Sequence, residues 1–146
     1  MRTENAMSYA GDVTPEAAWE LITTSPDAVL VDVRTQDEWR TVGVPDTSAA
    51  RAAARFVEWN TAWGPNPEFL AQLDAAGVAK DATVLFLCRS GVRSVAAAQA
   101  ATAAGWTDAR NILQGFEGAQ DATGARTVDG WRNNGLPTTT IDEAAR

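Results

Sequence analysis

The sequence predicts an α/β domain whose mostly parallel sheet is covered by helices on both faces. Residues 28–33 and 83–87 are short, β-branched and apolar, which is typical of strands buried on both faces. Helical patterns alternate with these strands, as in chains that build parallel sheets. A length of 146 residues suits one core. We therefore predict a flexible leader over residues 1–10, a single domain over 11–140 and a tail over 141–146.

The first half of the domain begins with a helix. Thr14, Pro15 and Glu16 supply an N-cap, a first-turn proline and a first-turn acid, so the helix should run from Pro15 to about Thr24. A strand over residues 28–33 follows. Residues 35–40 then predict one helical turn, with a capping box between residues 35 and 38. The alanines of residues 43–54 favour irregular chain that passes into helix.

The second half repeats the alternation. Asn66, Pro67 and Glu68 open a helix that Gly77 ends. A strand follows over residues 83–87, and an alanine-rich helix over residues 95–104 stops at Gly105. We also predict a strand over residues 109–113 and a last helical turn over residues 128–134.

Charge and composition exclude several functions. The net charge of −7 argues against nucleic acid as a partner. No apolar run approaches the roughly 17 residues that span a bilayer, so we expect no membrane association. The single cysteine favours a reducing cytoplasm. Because the chain has no histidine, histidine-dependent triads and histidine-ligated zinc are excluded, and we expect no metal or cofactor.

The strongest candidate for chemistry is Cys88, which lies between a predicted strand and a predicted helix. A loop in that position directs backbone N–H groups and the positive end of the helix dipole at one point. Gly91 permits a tight turn, and Arg89 and Arg93 add positive charge. We expect this field to favour the thiolate form of Cys88.

The plain alternative is that Cys88 is a small core residue, as most free cysteines are. The residues that follow it argue against this interpretation. A purely structural turn has no need of two arginines and two hydroxyl groups around a thiol. We therefore interpret residues 88–94 as a functional loop.

The segment Cys88-Arg89-Ser90-Gly91-Val92-Arg93-Ser94 resembles the active-site loop of rhodanese domains, which transfer sulfane sulfur. Residues 31–34, 37–39, 115–118, 130–131 and 135–137 also match the family pattern, so the resemblance spans about residues 13 to 137. It implies a central, mostly parallel five-stranded sheet with helices on both faces. It also implies that Cys88 carries sulfur as a persulfide, held by the backbone amides of residues 89–94.

Loop length separates this pattern from its chemical relatives. Four residues lie between Cys88 and Arg93, whereas dual-specificity phosphatases and arsenate reductases have one more. The shorter loop favours a terminal sulfur over a tetrahedral oxyanion. A cysteine-dependent phosphatase or arsenate reductase is the less favoured alternative.

The sequence departs from the family pattern at two places. Gly43-Val44-Pro45-Asp46 lacks the usual histidine and second glycine, which affects loop packing more than the sulfur step. Residues 119–129 are an insertion, which we interpret as a surface loop rather than as a cover for the site. In the family, the aspartate and arginine at positions 32 and 34 support the active loop. From the residues alone, either Asp32 orders the loop or Arg34 pairs with Glu38.

The resemblance implies a two-step reaction. Cys88 takes sulfur from thiosulfate or a persulfide donor, Arg89 and Arg93 attract the anion, and cyanide or a thiol removes the sulfur. With one cysteine, the acceptor has to be another molecule. A different class of function is a non-catalytic module that uses this fold to bind an anion or a partner.

Overall fold

The structure is a computed structural model that describes residues 8–144. Residues 1–7 of the predicted leader and the last two residues of the predicted tail lie outside this range. The helices are α1 (Pro15–Thr24), α2 (Gln36–Val42), α3 (Phe69–Ala75), α4 (Arg93–Ala103) and α5 (Ile141–Ala144). The strands are β1 (Gly11–Val13), β2 (Ala28–Asp32), β3 (Val44–Pro45), β4 (Arg55–Phe56), β5 (Asn60–Thr61), β6 (Gly64–Pro65), β7 (Thr83–Leu87), β8 (Asp108–Ile112) and β9 (Thr138–Thr139).

The central sheet has five parallel strands in the order β1-β8-β7-β2-β4. This confirms the predicted fold class. Asp32 of β2 is in register with Leu87 of β7, so the two strands end side by side. Cys88 and Arg34, which follow those ends, are therefore brought to the same edge of the sheet. Two antiparallel pairs, β3 with β9 and β5 with β6, lie outside it.

Alternation along the strands divides the core between the two faces of the sheet. Val29 and Val31 of β2 pack with buried residues of α3 and α4, whereas Ala28 and Leu30 pack with buried residues of α1. Successive strand side chains point to opposite faces, so a strand covered on both faces is apolar throughout. Fully burying an aliphatic side chain contributes about 1.5–3 kcal/mol.

Most predicted elements are confirmed, several at the predicted residues. The first helix spans Pro15–Thr24, and the Thr14 hydroxyl accepts a hydrogen bond from Ala17 N. The capping box of Thr35 and Glu38 is present in both directions. The strand over residues 83–87 has the predicted bounds, and those over residues 28–33 and 109–113 are found within one residue of theirs.

Two predictions differ from the structure. The helix expected within residues 43–54 is wrong: β3 and a series of turns occupy the segment, which then enters β4. Alanine propensity is a weak signal, and pairing of β4 with β2 draws the chain into an extended path. The last helical turn is shorter than predicted, because residues 131–135 form turns with one i to i+4 bond, from Asn134 N to Gly130 O.

The described ends of the chain are tied to the domain. Ala10 N donates to Ala109 O at 2.8 Å, ahead of β1. At the other end, β9 pairs with β3, and residues 141–144 of the predicted tail then form α5. Among residues 8–144, no helix has the length and apolar character that a bilayer crossing requires.

Candidate active site

Cys88 directly follows β7, and its sulfur faces the loop that leads into α4. Sγ accepts a hydrogen bond from Gly91 N at 3.1 Å and lies 3.1 Å from Ser94 Oγ. Only 1% of Cys88 is exposed, and apolar side chains pack on one side of it. The sulfur is thus buried beneath the loop, but its own contacts are with a backbone amide and a hydroxyl group.

The cradle of amides expected around the sulfur is only partly formed. Gly91 N donates to Sγ, and Gly91 has φ +102°, a conformation that L side chains rarely adopt. Ser90 is half-buried, and Arg89 and Val92 are exposed at the surface of the loop. The loop therefore presents one positive and one apolar side chain to solvent above the buried sulfur.

The N-terminus of α4 supports an anion site. Its N-cap residue is Val92, which has no side-chain acceptor and makes no capping hydrogen bond. β-Branched apolar residues are among the poorest N-caps, because first-turn N–H groups are left without a side-chain partner. Such groups are suited to an external anion.

The turn at residues 115–118, after β8, donates backbone hydrogen bonds to the active loop, residues 88–94. Phe116 N donates to Cys88 O at 2.7 Å, and the amides of Glu117 and Gly118 donate to Arg89 O. Gly115 lies so close that a Cβ atom there would be 2.5 Å from the carbonyl oxygens of Cys88 and Arg89. The 115–118 motif identified in the sequence therefore supports the backbone of the loop.

Arg93 does not point freely into the site. Its Nη1 and Nη2 atoms donate to Glu38 Oε1 and Oε2 at 2.8 and 2.9 Å. Burial raises the pKa of Glu38, but hydrogen bonds from Arg93 and the Thr35 backbone outweigh it and lower the pKa from 4.5 to about 2. The hydrogen bond to Glu38 in turn raises the pKa of Arg93. This pair ties α4 to α2.

The predicted pairing of Arg34 with Glu38 is wrong. Arg34 Nη2 donates to Asp32 Oδ2 at 2.7 Å and to Gly43 O at 2.9 Å. Both side chains of the Asp32–Arg34 pair are fully buried, and the guanidinium lies 4.3 Å above the ring of Phe116. Asp32 is also nearer to Arg34 in sequence than Glu38 is, and the Glu38 carboxylate faces α4 and is occupied by Arg93.

Two residues that are linked to the sulfur through Ser94 were not predicted. Asn111 of β8 accepts a hydrogen bond from Ser94 Oγ at 2.5 Å, and its Nδ2 donates to Asp12 Oδ1 at 3.0 Å. Asn111 is only 2% exposed. A polar side chain within a strand of a buried sheet was the available signal for it, whereas nothing in the sequence connects Asp12 with Cys88.

The inserted segment, residues 119–129, closes on itself at the surface. Gln120 and Arg126 form an isolated β-bridge, and Arg126 Nη1 donates to Gly118 O at 2.7 Å. Asp121 accepts hydrogen bonds from Thr123 and Thr127 within the segment. These contacts agree with its interpretation as a surface loop.

The donor set for a metal ion is lacking in the part of the chain that the structure describes. Over residues 8–144, no three histidine, cysteine, aspartate or glutamate side chains are grouped so that they could hold an ion.

Comparisons with known proteins agree with this architecture. The crystal structure of Rv0390 from M. tuberculosis is 52% identical, with a TM-score of 0.81, over 90% of this chain and 98% of that chain. An uncharacterized Rickettsia conorii protein, RC0915, is 34% identical over 82% of this chain and 89% of its own length. The thiosulfate sulfurtransferase GlpE of Actinobacillus succinogenes is 32% identical over 76% of this chain and 85% of its own length.

The family match covers most of the described domain. Residues 14–122 match the rhodanese-like domain, from the N-cap of α1 to the start of the inserted segment. This range includes β2, β7, the active loop and the supporting motif after β8. The chain therefore belongs to the family of rhodanese-like domains.

Proposed function

We propose that this protein is a sulfurtransferase that carries sulfane sulfur as a persulfide on Cys88. The observation that carries the proposal is the contact of Cys88 Sγ with Gly91 N, in a loop that enters the uncapped helix α4. The relative named thiosulfate sulfurtransferase supports thiosulfate as a donor. Persulfides are a second class of donor with the same reactive sulfur.

In the first step, the Cys88 thiolate attacks the outer sulfur of thiosulfate. A new S–S bond forms, the S–S bond of thiosulfate breaks, and sulfite leaves with the electron pair. The product is a Cys88 persulfide anion, which amides of residues 89–94 stabilise by charge-assisted hydrogen bonds. In the second step, cyanide or a thiolate attacks the outer sulfur, and the Cys88 thiolate is regenerated.

The two arginines of the loop contribute differently to this proposal. Arg89 is exposed and attracts the anionic donor to the loop. Arg93 has a bidentate partner in Glu38, so its main contribution is to fix the start of α4. Because Cys88 is 1% exposed, the donor reaches Sγ only when the segment from Arg89 to Val92 moves outward.

The acceptor in this proposal is an external molecule. The sequence contains one cysteine, so no second thiol of the chain can take the sulfur by forming an internal disulfide. A free thiol suits a reducing compartment, which agrees with a cytoplasmic location. The reaction uses neither a metal nor an organic cofactor, and nucleic acid is not a partner of this acidic chain.

The burial of Cys88 favours a second candidate, a non-catalytic module that binds a partner through the same loop. Mass spectrometry separates the two. After treatment with thiosulfate, we expect the protein to gain the mass of one sulfur atom and to lose it when cyanide is added. The Cys88→Ser variant should gain nothing.

Failure of the wild-type protein to take up sulfur from either thiosulfate or a persulfide donor would contradict the proposal. Hydrolysis of para-nitrophenyl phosphate under the same conditions would then favour a phosphatase. Absence of both activities would favour the binding module.

A further inference from the structure

A chain of hydrogen-bonded side chains leads from the sulfur of Cys88 to the protein surface. Sγ lies 3.1 Å from Ser94 Oγ, which is 2.5 Å from Asn111 Oδ1. Asn111 Nδ2 donates to Asp12 Oδ1 at 3.0 Å. Asp12 is exposed, whereas Ser94 and Asn111 are buried, so the chain connects the candidate active site with solvent through β8 and β1.

The direction of this chain is fixed at its outer end. An ionised carboxylate only accepts hydrogen bonds, so the amide nitrogen of Asn111 faces Asp12 and its amide oxygen faces Ser94. Tyr9 also donates to Asp12 Oδ1, at 2.9 Å. Burial, followed by the hydrogen bond and negative charge of Asp12, raises the pKa of Tyr9, which keeps its hydroxyl a donor.

The single hydroxyl hydrogen of Ser94 is therefore committed to Asn111. A serine hydroxyl donates one hydrogen bond and accepts up to two. Once Ser94 donates to Asn111 Oδ1, it offers only lone pairs to Cys88. These lone pairs accept a hydrogen bond from a protonated thiol and repel a thiolate.

A Cys88 thiolate and Asn111 Oδ1 would therefore compete for the single hydroxyl hydrogen of Ser94. If the Ser94 hydroxyl turns to donate to the thiolate, the amide oxygen of Asn111 loses its donor. Asn111 is 2% exposed, so water does not readily replace that donor. Gly91 N then remains the only one of these groups that can donate to the thiolate without disturbing the chain.

We infer that Asp12 and Asn111 are positioning residues that hold the hydrogen of Ser94 away from Cys88 and so limit its ionisation. The inference rests on the proposed function, in which the thiolate is the nucleophile. Breaking the chain at Asp12 should free Asn111 to turn its amide, and the Ser94 hydroxyl would then donate to the sulfur.

Other charged groups face Cys88 from different elements. Arg93 of α4 interacts electrostatically with Cys88 and Asp32, and its partner Glu38 lies on α2. Arg34 follows β2 and is paired with Asp32. Asp12 approaches from β1, on the opposite side, so substitutions there leave these ion pairs in place.

The test compares Asp12→Ala with Asp12→Asn. Both remove the charge, but asparagine retains an oxygen that can accept from Asn111 Nδ2, and Tyr9, which donates to Asp12 Oδ1 in the wild type, keeps that oxygen in place. The thiolate is followed by its ultraviolet absorbance as pH rises, with Cys88→Ser as the blank. We expect Asp12→Ala to lower the midpoint of the titration by about one pH unit, which raises the thiolate fraction roughly tenfold at pH values below the midpoint. Asp12→Asn should keep the wild-type midpoint.

Two further variants make the outcome decisive. Asn111→Leu should lower the midpoint although the Asp12 charge remains, with circular dichroism confirming a folded protein. In a Ser94→Ala background, Asp12→Ala should have no effect. Equal shifts of the midpoint for Asp12→Ala and Asp12→Asn would overturn the inference, because they would indicate a through-space effect of the charge. Midpoints that stay unchanged in both Asp12→Ala and Asn111→Leu would also overturn it, because the chain would then have no influence on Cys88. The titration needs no sulfur donor, so its result is independent of whether the protein transfers sulfur.

Discussion

Arg34 shows how strongly a buried charged residue can depend on the carboxylate that pairs with it. Its side chain and that of Asp32 have no exposed surface, and the guanidinium also donates to Gly43 O and lies against Phe116. Removing charges from water is costly, and a buried pair recovers that cost only while both partners are present. The pair therefore stabilises the end of β2 only as a unit.

We predict that Asp32→Ala lowers the free energy of unfolding by about 3–5 kcal/mol, because it leaves the Arg34 charge buried without a carboxylate. Urea denaturation of both proteins measures the difference. Asp37→Ala is the control, since it breaks an exposed pair with Arg40 and should cost under about 1 kcal/mol. Similar losses in the two variants would contradict the importance of burial.

At the residue scale, the sequence predicted the residues of the active loop, but it did not predict which carboxylates pair with the nearby arginines. Cys88 and Gly91 could be placed because strand, loop and helix follow one another directly in the chain. Tertiary packing determines which carboxylate forms an ion pair with each arginine. Glu38 is four residues from Arg34 in sequence but pairs with Arg93, 55 residues away.

At the scale of elements, the active loop depends on a segment of the chain that makes no contact with the sulfur itself. The turn at residues 115–118 donates three backbone hydrogen bonds to Cys88 and Arg89. Gly115 combines φ +67° with close contact to that backbone. The shape of the loop is thus set partly by the turn that follows β8.

We predict that Gly115→Ala displaces the loop, reduces sulfur uptake from thiosulfate and destabilises the protein, because its Cβ atom would overlap backbone atoms of Cys88 and Arg89. Gly124→Ala is a matched control. Gly124 has φ +88° but no atom within 4 Å of an added Cβ. Mass spectrometry and thermal unfolding measure the two effects.

Gly124→Ala should incur only the backbone cost of a positive φ, about 1–2 kcal/mol, with normal sulfur uptake. If both variants lose uptake equally, the contact of Gly115 with the loop is not responsible.

The elements missed by sequence reasoning are the short ones. Strands β3, β4, β5, β6 and β9 have two residues each. Two residues show no alternation of polar and apolar side chains, so no periodic signal exists for them. In contrast, α1 was predicted to the residue because its N-cap, its proline and its apolar face agree.

At the scale of the whole molecule, parallel topology turns separate sequence motifs into one site. The strand ends of β2 and β7 are in register, and β8 lies next to β7. The motifs at residues 31–34, 88–94 and 115–118 therefore meet at one edge of the sheet. This convergence was predictable from the alternation of strands and helices, but the positions of the edge strands were not.

Acid should weaken the connection between α2 and α4. The pKa of Glu38 is lowered to about 2 in the folded protein, below its ordinary value of 4.5. Its contribution to stability is therefore fully present above about pH 4.5 and is lost as the pH falls toward 2. A shift of this size corresponds to about 3 kcal/mol at most.

We predict that the difference in unfolding free energy between wild type and Glu38→Gln is largest near neutral pH and shrinks as the pH falls from about 4.5 to 2. Urea denaturation across this range measures it. Leu70→Ala, on the exposed side of α3, is the control, and its effect should not vary with pH. A Glu38→Gln difference that stays constant with pH would contradict the assignment.

The two edge strands of the central sheet are also its shortest strands. β1 has three residues and β4 has two, whereas the three strands between them have five each. Each edge therefore offers only a few unpaired backbone N–H and C=O groups, too few for a strand of another molecule to pair with it and extend the sheet. The mainly apolar strands β2 and β7 thereby lie inside the sheet, away from the edges at which strands of two molecules could pair.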